Sequence, residues 1–549
     1  MTTCPAMSTG GMGTSSADGF AWWKSGIVYQ IYPRSFQDSD GDGIGDLAGI
    51  ESRLDHLVGL GVDAIWICPI FPSPMADFGY DITDYRDVDP LFGTLTDLDR
   101  LLESAHARGI RVLLDLVPSH TSHLHPWFVD SRSGRDSARR DWYVWADPAP
   151  GGGPPNNWIA EFGGPAWTLD ETTAQYYLHI YLPEQPALNW RNPQVREAMY
   201  GAMRFWFDRG VDGFRVDAAQ HLAPDDQLRD NPVDPDWEPE QGPARRLIRE
   251  FTAHRPEVYE IAREMRAIAD EYPGDRVLIG ETFGTLGQLM AYYGERNDGF
   301  HLPFNFELLT TPWRAEPIAA YVDLYETELP PGAWPNWVLS SHDRSRVASR
   351  IGVAQARVAA MLLLTLRGTP TIYQGDELGM EDVPIPPDAV QDPWERNVPG
   401  LGLGRDPVRV PIRWDGSPPG GFTTGRPWLP HATDPGLVVT TQEADPASML
   451  SLHRALVALR RAEPALSVGG YRTVSVDDNV FVYERAHADR TLLVALNLSS
   501  EPRPLPLPVA GRSLLSTDPA RAVGDEPEEL GPDEGVVLEA AQPDGRGWP

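Results

Sequence analysis

The chain has 549 residues, 41% of them hydrophobic and 10% aromatic, which is enough apolar surface for more than one ordinary core. Its formal net charge of −33 at pH 7 makes nucleic acids and anionic lipid surfaces poor partners and favours a neutral substrate. Two cysteines, Cys4 and Cys68, do not form a disulfide framework, which favours a reducing compartment. Residues 1–20 are small and polar, so we interpret them as a flexible leader and expect a cytoplasmic protein without a membrane span.

Strand-like and helix-like segments alternate from residue 21 onward. The first three strands are predicted over residues 26–32, 62–68 and 110–117, with helices between them over 47–60 and 96–108. Near-continuous apolar strands that alternate with helices are typical of a parallel sheet covered by helices. The later predicted elements are helix 193–209, strand 213–216, strand 276–280, strand 337–340, helix 355–367 and strand 369–374.

Two parts of the chain depart from this alternation. Residues 121–187 are rich in Trp, Gly, Pro and Asp and are too long for a structureless loop, which predicts a small inserted subdomain. Residues 469–549 contain short alternating strands, which predict an all-β C-terminal domain with a β-sandwich fold. The predicted fold class is α/β: a (β/α)8 barrel formed by residues 21–120 and 188–468, with the subdomain inserted after its third strand.

Acidic and histidine side chains follow four of the predicted strands. They lie in residues 115–120 (Asp-Leu-Val-Pro-Ser-His), 213–217 (Gly-Phe-Arg-Val-Asp), 279–281 (Ile-Gly-Glu) and 339–343 (Leu-Ser-Ser-His-Asp). In α/β barrels the catalytic groups come from the C-terminal ends of several strands. A single aspartate after a strand is usually a helix cap, but four such strand ends together indicate an active site at the barrel mouth.

These four segments resemble the four conserved regions of glycoside hydrolase family 13, the α-amylase family. Residues 23–35, 79–85, 185–190 and 404–411 resemble segments of its α-glucosidases and oligo-1,6-glucosidases. The similarity extends over nearly all of residues 21–540. It implies a retaining, exo-acting α-glucosidase that releases α-glucose from the non-reducing end of short α-glucosides and uses no organic cofactor.

The resemblance assigns roles to three acids. Asp217 would be the nucleophile that forms a covalent β-glucosyl-enzyme, Glu281 the general acid/base, and Asp343 the ligand of the sugar's 2- and 3-hydroxyls. Retention requires the first two carboxyls to lie about 5–5.5 Å apart. Arg215, two positions before Asp217 on one strand, should face the same side and keep that carboxyl ionised. Because Glu281 must stay protonated, we expect the two pKa values to be pushed apart.

The same resemblance implies a set of sugar-binding residues. They are Asp77, Tyr80, His120, Phe162, Arg215, His342 and Arg405. Tyr80 would stack under the sugar ring and Phe162 would narrow the pocket. Asp77 and Arg405 would bind the 4-hydroxyl and close the pocket to longer chains, and Arg409 is the alternative to Arg405.

An acidic loop at residues 38–46 (Asp-Ser-Asp-Gly-Asp-Gly-Ile-Gly-Asp) is a second candidate site. Aspartates that alternate with glycines resemble half of a calcium loop, because a hard cation prefers several oxygen ligands in a tight turn. In the related glucosidases this loop holds a structural calcium ion. The ligands implied here are Asp38, Asp40, Asp42, the carbonyl of Ile44, and Asp46. The sequence leaves open Ca²⁺ or Mg²⁺, and the alternative is a solvated acidic turn.

The sequence departs from the family pattern at three positions. Ser341 replaces the asparagine usual before His-Asp, Ala187 replaces an acidic residue, and Ser119 replaces an asparagine that ligates a different calcium in many α-amylases. None of the three removes a catalytic group. Ala218, directly after the predicted nucleophile, predicts a preference for α-1,4 bonds, because valine at this position accompanies α-1,6 specificity in related enzymes.

Other functions on the same scaffold remain open from the sequence. Trehalose synthases, sucrose isomerases and other glucosyltransferases form the same glucosyl-enzyme and differ in what captures it. Residues 229–237 and 391–403 resemble loops of bacterial α-glucosidases, some of which transglucosylate well. The non-enzymatic ancillary subunits of amino-acid transporters lack the acids and carry a membrane span, which argues against them. The expected partner is a small oligosaccharide or glucoside, and the protein would be a monomer or a homodimer.

Overall fold

The computed structural model describes residues 20–477, 479–505 and 511–540. The predicted leader, residues 1–20, lies outside this part of the chain except for its last residue, as does the end of the predicted C-terminal domain. Within the described residues, none of the helices combines the length and apolar composition that a membrane span needs.

Eight parallel strands form the central sheet, and almost all of their residues are buried. In chain order they are β1 (Val28–Ile31), β2 (Ala64–Ile67), β3 (Arg111–Leu116), β4 (Gly213–Val216), β5 (Val277–Gly280), β6 (Leu302–Pro303), β7 (Asn336–Val338) and β8 (Thr369–Tyr373). Their spatial order is β7-β8-β1-β2-β3-β4-β5-β6, so within the described chain only β6 and β7 are not paired with each other. The predicted α/β barrel is confirmed. The sequence does not predict strand β6, because a strand of two residues is too short to form a recognisable apolar run.

Helices follow most of the barrel strands and cover the sheet. In chain order they are Trp22–Ser25, Leu47–Ser52, Leu54–Leu60, Leu95–Ala107, Pro126–Ser131, Pro193–Arg209, Pro256–Asp270, Leu286–Ala291, Glu307–Thr310, Ala315–Glu328, Val347–Ile351, Val353–Thr365, Pro393–Asn397, Val439–Glu443, Met449–Ala462 and Pro464–Ser467. The helix Leu95–Ala107 illustrates the local cause. Thr94 and Asp97 form a reciprocal capping box at its start. Its buried side chains recur at helical spacing, at Leu98, Leu101, Leu102 and Ala105.

The helix predicted over residues 47–60 is two helices, because the chain breaks at Arg53. This residue leaves helical geometry with φ −108° and ψ 7°. Its Nε donates to Oε1 of Gln37 at 2.7 Å, and its guanidinium lies 4.4 Å from the ring centre of Trp414. Trp414 is distant from Arg53 in sequence, and Gln37 is separated from it by the acidic loop. Local periodicity therefore does not predict the break.

Additional sheets lie outside the barrel. Between β3 and the helix Pro193–Arg209, a three-stranded antiparallel sheet is formed by Trp145–Ala146, Gln175–Leu178 and Trp167–Asp170. The C-terminal part contains a five-stranded antiparallel sheet of β9 (Gly470–Val476), β10 (Val480–His487), β11 (Arg490–Asn497), β12 (Gly511–Ser516) and β13 (Gly535–Ala540). Its order is β9-β10-β11-β13-β12. A two-stranded pair of Arg503–Pro504 and Glu529–Leu530 accompanies it.

The last helix of the barrel region is fixed by a buried arginine. Arg460, 1% exposed, lies in the last turn of Met449–Ala462 and has no carboxylate partner among the described residues. Its guanidinium donates to four backbone carbonyls, those of Leu364, Leu366, Gly368 and Leu466, at 2.6–3.2 Å. These carbonyls belong to the end of the helix Val353–Thr365, to the connection into β8 and to the short helix Pro464–Ser467 before the C-terminal sheet. Arg460 therefore joins the barrel to the C-terminal part.

We expect Arg460→Leu to lower the free energy of unfolding by about 2–5 kcal/mol, because it leaves four buried carbonyls without donors. The measurement is urea unfolding followed by tryptophan fluorescence and residual activity. The neighbouring Arg461 is a matched control, since its side chain is half exposed and pairs with Asp63 at 2.6 Å. Arg461→Leu should cost at most about 1 kcal/mol. Equal losses in the two variants would contradict the role given to Arg460.

Candidate active site

The two predicted reacting acids, Asp217 and Glu281, follow directly after β4 and β5 at the carboxyl edge of the sheet. The amide of Asp217 donates to the carbonyl of Leu116 at 2.8 Å, and the amide of Glu281 donates to the carbonyl of Val216 at 2.8 Å. These bonds continue the parallel hydrogen-bond ladder by one step beyond each strand. The register of the sheet therefore fixes the positions of both acids.

One guanidinium holds both carboxyls. Arg215, 1% exposed on β4, donates through Nη1 to Oδ1 of Asp217 at 2.5 Å, and its Nη2 lies 2.7 Å from Oε1 of Glu281. Its Nη1 also binds Oδ1 of Asp115 on β3 at 2.8 Å. The adjacent nitrogens of one planar fork thus set Asp217 and Glu281 side by side.

The backbone on either side of this pair is also adapted to it. A Cβ at Gly280 would lie 2.2 Å from Cδ2 of Phe300, so only glycine fits directly before Glu281. Directly after Asp217, Ala218 takes the left-handed conformation with φ 47°, which costs a non-glycine residue about 1 kcal/mol or more. This turn aims the Ala218 amide at Oε2 of Glu281, which it reaches at 2.9 Å.

The environment raises the pKa of both Asp217 and Glu281. Burial raises the pKa of Asp217 to about 7, against the opposing charge of Arg215. Burial likewise raises the pKa of Glu281 to about 7, and the charge of Asp217 adds to this rise. Both carboxyls are therefore expected to titrate near neutrality, and the charge of an ionised Asp217 favours the protonated form of Glu281.

Asp343, the third predicted acid, is held ionised. Burial raises its pKa, but the charges of Arg409 and Arg405 outweigh that effect and hold the pKa well below its usual range. Nη2 of Arg409 lies 2.7 Å from its Oδ1, and Nη1 of Arg405 lies 3.4 Å from the same atom. The hydroxyl of Ser341 accepts from the Asp343 amide at 3.3 Å, so the serine at this position still supports the turn.

Arg405 and Arg409 have different main partners. Arg405 binds Oδ1 of Asp77 through Nη2 at 2.7 Å, and its Nε donates to Oδ2 of Asp392 at 2.8 Å. All three side chains are buried, with Arg405 6% exposed. Arg409 reaches only Asp343 among these acids and donates through Nε to the carbonyl of His342 at 2.9 Å. The assignment of Arg405 rather than Arg409 as the partner of Asp77 agrees with this geometry.

Tyr80 and His342 form a stacked pair under the acids, with ring centres 5.6 Å apart and planes at 8°. The Tyr80 hydroxyl lies 2.7 Å from Nε2 of His342 and donates to Oδ2 of Asp115 at 3.0 Å. Nδ1 of His342 lies 2.7 Å from Nε2 of Gln30. Burial lowers the pKa of His342 well below its usual value, so the ring is neutral. Both of its nitrogens already have protein partners.

His120 and Phe162 complete the predicted set. Nδ1 of His120 lies 2.8 Å from the hydroxyl of Ser119, and its Nε2 lies 2.9 Å from the carbonyl of Tyr80. Burial lowers the pKa of His120 to about 4, which makes this ring neutral as well. The guanidinium of Arg405 lies 4.8 Å from the ring centre of Phe162, so Phe162 covers the ion pairs at the closed end.

One hollow at the carboxyl edge of the barrel brings together most of the predicted residues. Its wall contains Asp77, Tyr80, His120, Phe162, Asp217, Glu281, Asp343 and Arg405. Arg215 and His342 lie behind this wall and act on it through their contacts. The remaining lining residues, which the sequence did not predict, are Glu161, Tyr181, Gln220, His221, Arg245, Arg249, Phe283, Arg344 and Trp394.

The unpredicted residues carried little local signal. Arg245 and Arg249 lie in and after a short 3₁₀ turn with no periodicity, and Trp394 is the second residue of a five-residue helix inside a long loop. Arg344 is the exception: it follows Asp343 directly and could have been predicted by extending the strand-end argument by one residue.

The acidic loop brings three of its predicted ligands together. Carboxylate oxygens of Asp38, Asp40 and Asp42 lie within 4.8 Å of one another. Asp46 instead caps the helix Leu47–Ser52 by accepting from the amide of Gly49 at 2.7 Å. Burial raises the pKa of Asp42, and the charges of its neighbouring aspartates add to the rise. Repelling hard oxygens in one turn match the chemistry of a calcium site, although Asp46 is already engaged as a cap.

Comparisons with known proteins give the same picture. Residues 30–469 match the model of the α-amylase catalytic domain, and residues 469–537 match a domain of unknown function, DUF3459. A probable α-glucosidase of Rhizobium meliloti (strain 1021) is 44% identical over 505 residues, covering 89% of this chain and 91% of that protein. An oligo-1,6-glucosidase of Heyndrickxia coagulans is 39% identical over 520 residues, covering 87% of this chain and 92% of that protein.

Solved structures are equally similar. The α-glucosyl transfer enzyme XgtA superimposes with a TM-score of 0.90 at 41% identity, covering 95% of this chain and 100% of that one. The trehalulose synthase MutB from Pseudomonas mesoacidophila MX-45 gives a TM-score of 0.87 at 35% identity, with the same coverage. A catalytic-domain match over most of the chain, with relatives of this identity, leaves one conclusion. This chain belongs to the α-amylase family, glycoside hydrolase family 13, and is a glycoside hydrolase.

Proposed function

We propose that this enzyme is a retaining, exo-acting α-glucosidase, with Asp217 as nucleophile and Glu281 as general acid/base. The observation that carries the proposal is the Arg215 guanidinium, which binds Asp217 and Glu281 through adjacent nitrogens. Two carboxyls placed this close suit covalent attack rather than activation of a water between them. Relatives named α-glucosidase and oligo-1,6-glucosidase support a glucoside substrate.

The proposed reaction has two steps. Asp217 attacks the anomeric carbon while Glu281 protonates the glycosidic oxygen, so the aglycone leaves and a β-glucosyl ester forms. Glu281, now ionised, then removes a proton from water, whose oxygen attacks the same carbon, displaces the Asp217 carboxylate and restores the α configuration. Asp343, held charged by Arg409, would bind hydroxyls whose contacts strengthen as the ring flattens toward the oxocarbenium ion.

The closed end of the hollow supports exo action. Arg405 is fixed between Asp77 and Asp392, and the burial of all three side chains supports a site that is blocked beyond the first sugar unit. A glucosyl unit would bind Asp77 and Arg405 through its 4-hydroxyl. Ala218, which is fully buried next to the reacting pair, carries the proposed preference for α-1,4 over α-1,6 bonds.

Glucosyl transfer is the second candidate. The solved relatives include an α-glucosyl transfer enzyme and a trehalulose synthase, which are similar to this chain over 95% of its length. Such enzymes would use the same glucosyl ester and differ in the molecule that captures it. Transfer to an acceptor sugar is therefore compatible with the same four central residues, Asp217, Glu281, Asp343 and Arg215.

We also propose a structural calcium ion in the acidic loop, held by Asp38, Asp40 and Asp42 with the carbonyl of Ile44. The mutual repulsion of these carboxylates supports the assignment, since a divalent cation removes it. Asp46 would act from the loop's end, where it also binds the Ser39 hydroxyl at 2.9 Å. The ion would stiffen the loop without taking part in the reaction.

The direct test is hydrolysis of maltose, isomaltose, sucrose and trehalose by the purified protein. We expect α-glucose to be released first, as observed by NMR, with maltose hydrolysed faster than isomaltose. Asp217→Asn should lower kcat on the order of 10⁴-fold, because the amide cannot attack the anomeric carbon. Isomerised disaccharide with little free glucose would favour the transfer function, and β-glucose as first product would refute retention.

The pH dependence of kcat/KM should be bell-shaped with its maximum near neutrality. The rate falls as pH drops below about 7 because Asp217 becomes protonated, and it falls above about 7 because Glu281 loses its proton. Glu281→Gln, assayed with α-glucosyl fluoride, which needs no acid for departure, should keep the acidic limb and lose the alkaline one. A flat profile between about pH 4 and 9 would contradict the assignment.

Removal of divalent cations with EDTA should lower the melting temperature, and Ca²⁺ should restore it, since a ligand at 100 times its Kd stabilises the folded state by about 2.7 kcal/mol. Parallel titration with Mg²⁺ identifies the preferred ion. Asp42→Asn is the control: without metal it should be at least as stable as the parent, because one repelling charge is gone, but it should not respond to Ca²⁺. An unchanged Ca²⁺ response in this variant would contradict the site.

A further inference from the structure

The hollow opens into a wider surface groove, and the residues that line both form its mouth. These shared residues are Arg245, Arg249, Phe283, Arg344 and Trp394. We call this set the arginine mouth. Three of its members are cations, two are aromatic, and none is an acid. In a chain with a net charge of −33, this composition at an opening of the site is unexpected.

The positive charge of the arginine mouth is mostly uncompensated. Nη2 of Arg249 binds Oε2 of Glu161 at 2.5 Å, which neutralises one cation. Neither Arg245 nor Arg344 forms an ion pair with any carboxylate that the structure describes. Two further acids, Asp234 and Glu250, line the outer groove but not the hollow. The mouth therefore presents about two free positive charges to a molecule leaving or entering the hollow.

Arg344 is held in place by aromatic rings rather than by acids. Its guanidinium lies 5.2 Å from the ring centre of Phe283. Phe283 is stacked on Phe306 with ring centres 4.4 Å apart and planes at 10°. A cation over an aromatic face keeps its hydrogen-bond donors free. The N–H groups of Arg344 are thus held in position and remain available to a ligand, as expected of a ligand-binding arginine.

The arginines deeper in the site differ from Arg245 and Arg344 because they have carboxylate partners. Arg215, Arg405 and Arg409 each bind at least one buried carboxylate. At the mouth, partial burial and the like charges of Arg249 and Arg344 lower the pKa of Arg245, and the charge of Glu161 opposes this effect. An anionic ligand would relieve the remaining repulsion between the arginines. The deep arginines bind the protein's own acids, whereas Arg245 and Arg344 at the mouth form no ion pair with a carboxylate that the structure describes.

We propose that the arginine mouth binds an anionic aglycone, so that the enzyme favours α-glucosides and glucosyl acceptors that carry a carboxylate or a phosphate next to the bond being cleaved or formed. This inference rests on the proposed glucosidase function, because it places the aglycone at the open end of the hollow. Arg245 and Arg344 are the anion-binding residues, and Glu161 reduces the charge by neutralising Arg249.

The test compares hydrolysis of 4-carboxyphenyl α-glucoside with that of its neutral methyl ester. The ratio of the two kcat/KM values is measured in the parent and in each variant, so that differences in leaving-group reactivity cancel. Arg245→Gln and Arg344→Gln should each reduce the relative preference for the anion about three- to tenfold, as expected for loss of a charge-assisted hydrogen bond. Raising NaCl from about 0.05 to 0.5 M should reduce the preference in the parent as well.

Two further variants sharpen the comparison. Arg246→Gln removes a neighbouring exposed arginine that does not line the mouth, and it should leave the ratio unchanged. Glu161→Gln frees the charge of Arg249 and should raise the preference for the anion, the opposite direction. A 4-phosphonophenyl α-glucoside, run in parallel, distinguishes a phosphate-like from a carboxylate ligand by the size of its own ratio.

Hydrolysis of the neutral ester is the internal reference for folding and for the glucosidase function. If the ester is hydrolysed and the ratio is the same in the parent and in the Arg245, Arg344 and Glu161 variants, the anionic aglycone is overturned while the glucosidase stands. If the parent cleaves none of these glucosides, the glucosidase function itself fails. A ratio that falls in the two arginine variants, rises in Glu161→Gln and stays constant in Arg246→Gln supports the proposal.

Discussion

The site depends on one buried cation. Arg215 is almost completely removed from solvent, and its guanidinium contacts the carboxyls of Asp115, Asp217 and Glu281. Burying three carboxyls together would otherwise be prohibitive, because each loses its hydration and they repel one another. The planar fork satisfies them at fixed angles, and this fixes the relative placement of the proposed nucleophile and acid. A lysine, with a single point of charge, could not hold two carboxyls in this geometry.

The charges of the site follow a gradient along the hollow. At the closed end Arg405 lies between two aspartates, in the middle Arg215 and Arg409 bind the three central acids, and at the mouth Arg245 and Arg344 lack acidic partners. Burial raises the pKa of Asp217 and of Glu281, and the charge of Arg215 opposes this rise in both. The same balance of desolvation against local charge acts on the central acids and, in our proposal, on the binding of the aglycone at the arginine mouth.

The backbone conformation of the barrel strands also differs from that of the candidate active site. The barrel strands are nearly all buried and regular, while Ala218 takes a left-handed conformation beside Asp217. The cost of this turn is offset by the hydrogen bond from its amide to Glu281. Elsewhere, buried arginines such as Arg460 satisfy backbone carbonyls instead of acids and join the barrel to the C-terminal sheet.

The sequence alone determined the barrel and the three acids, because both are local features: apolar strands alternate with helices, and Asp217 and Glu281 stand one residue beyond their strands. Strand register then brings such residues to one edge without further information. Only the tertiary structure decided the break at Arg53, the two-residue strand β6, and the arginine mouth. These features depend on side chains that are far apart in sequence, such as Arg245 and Arg344. Contacts of this kind are not visible as a periodic pattern in the sequence.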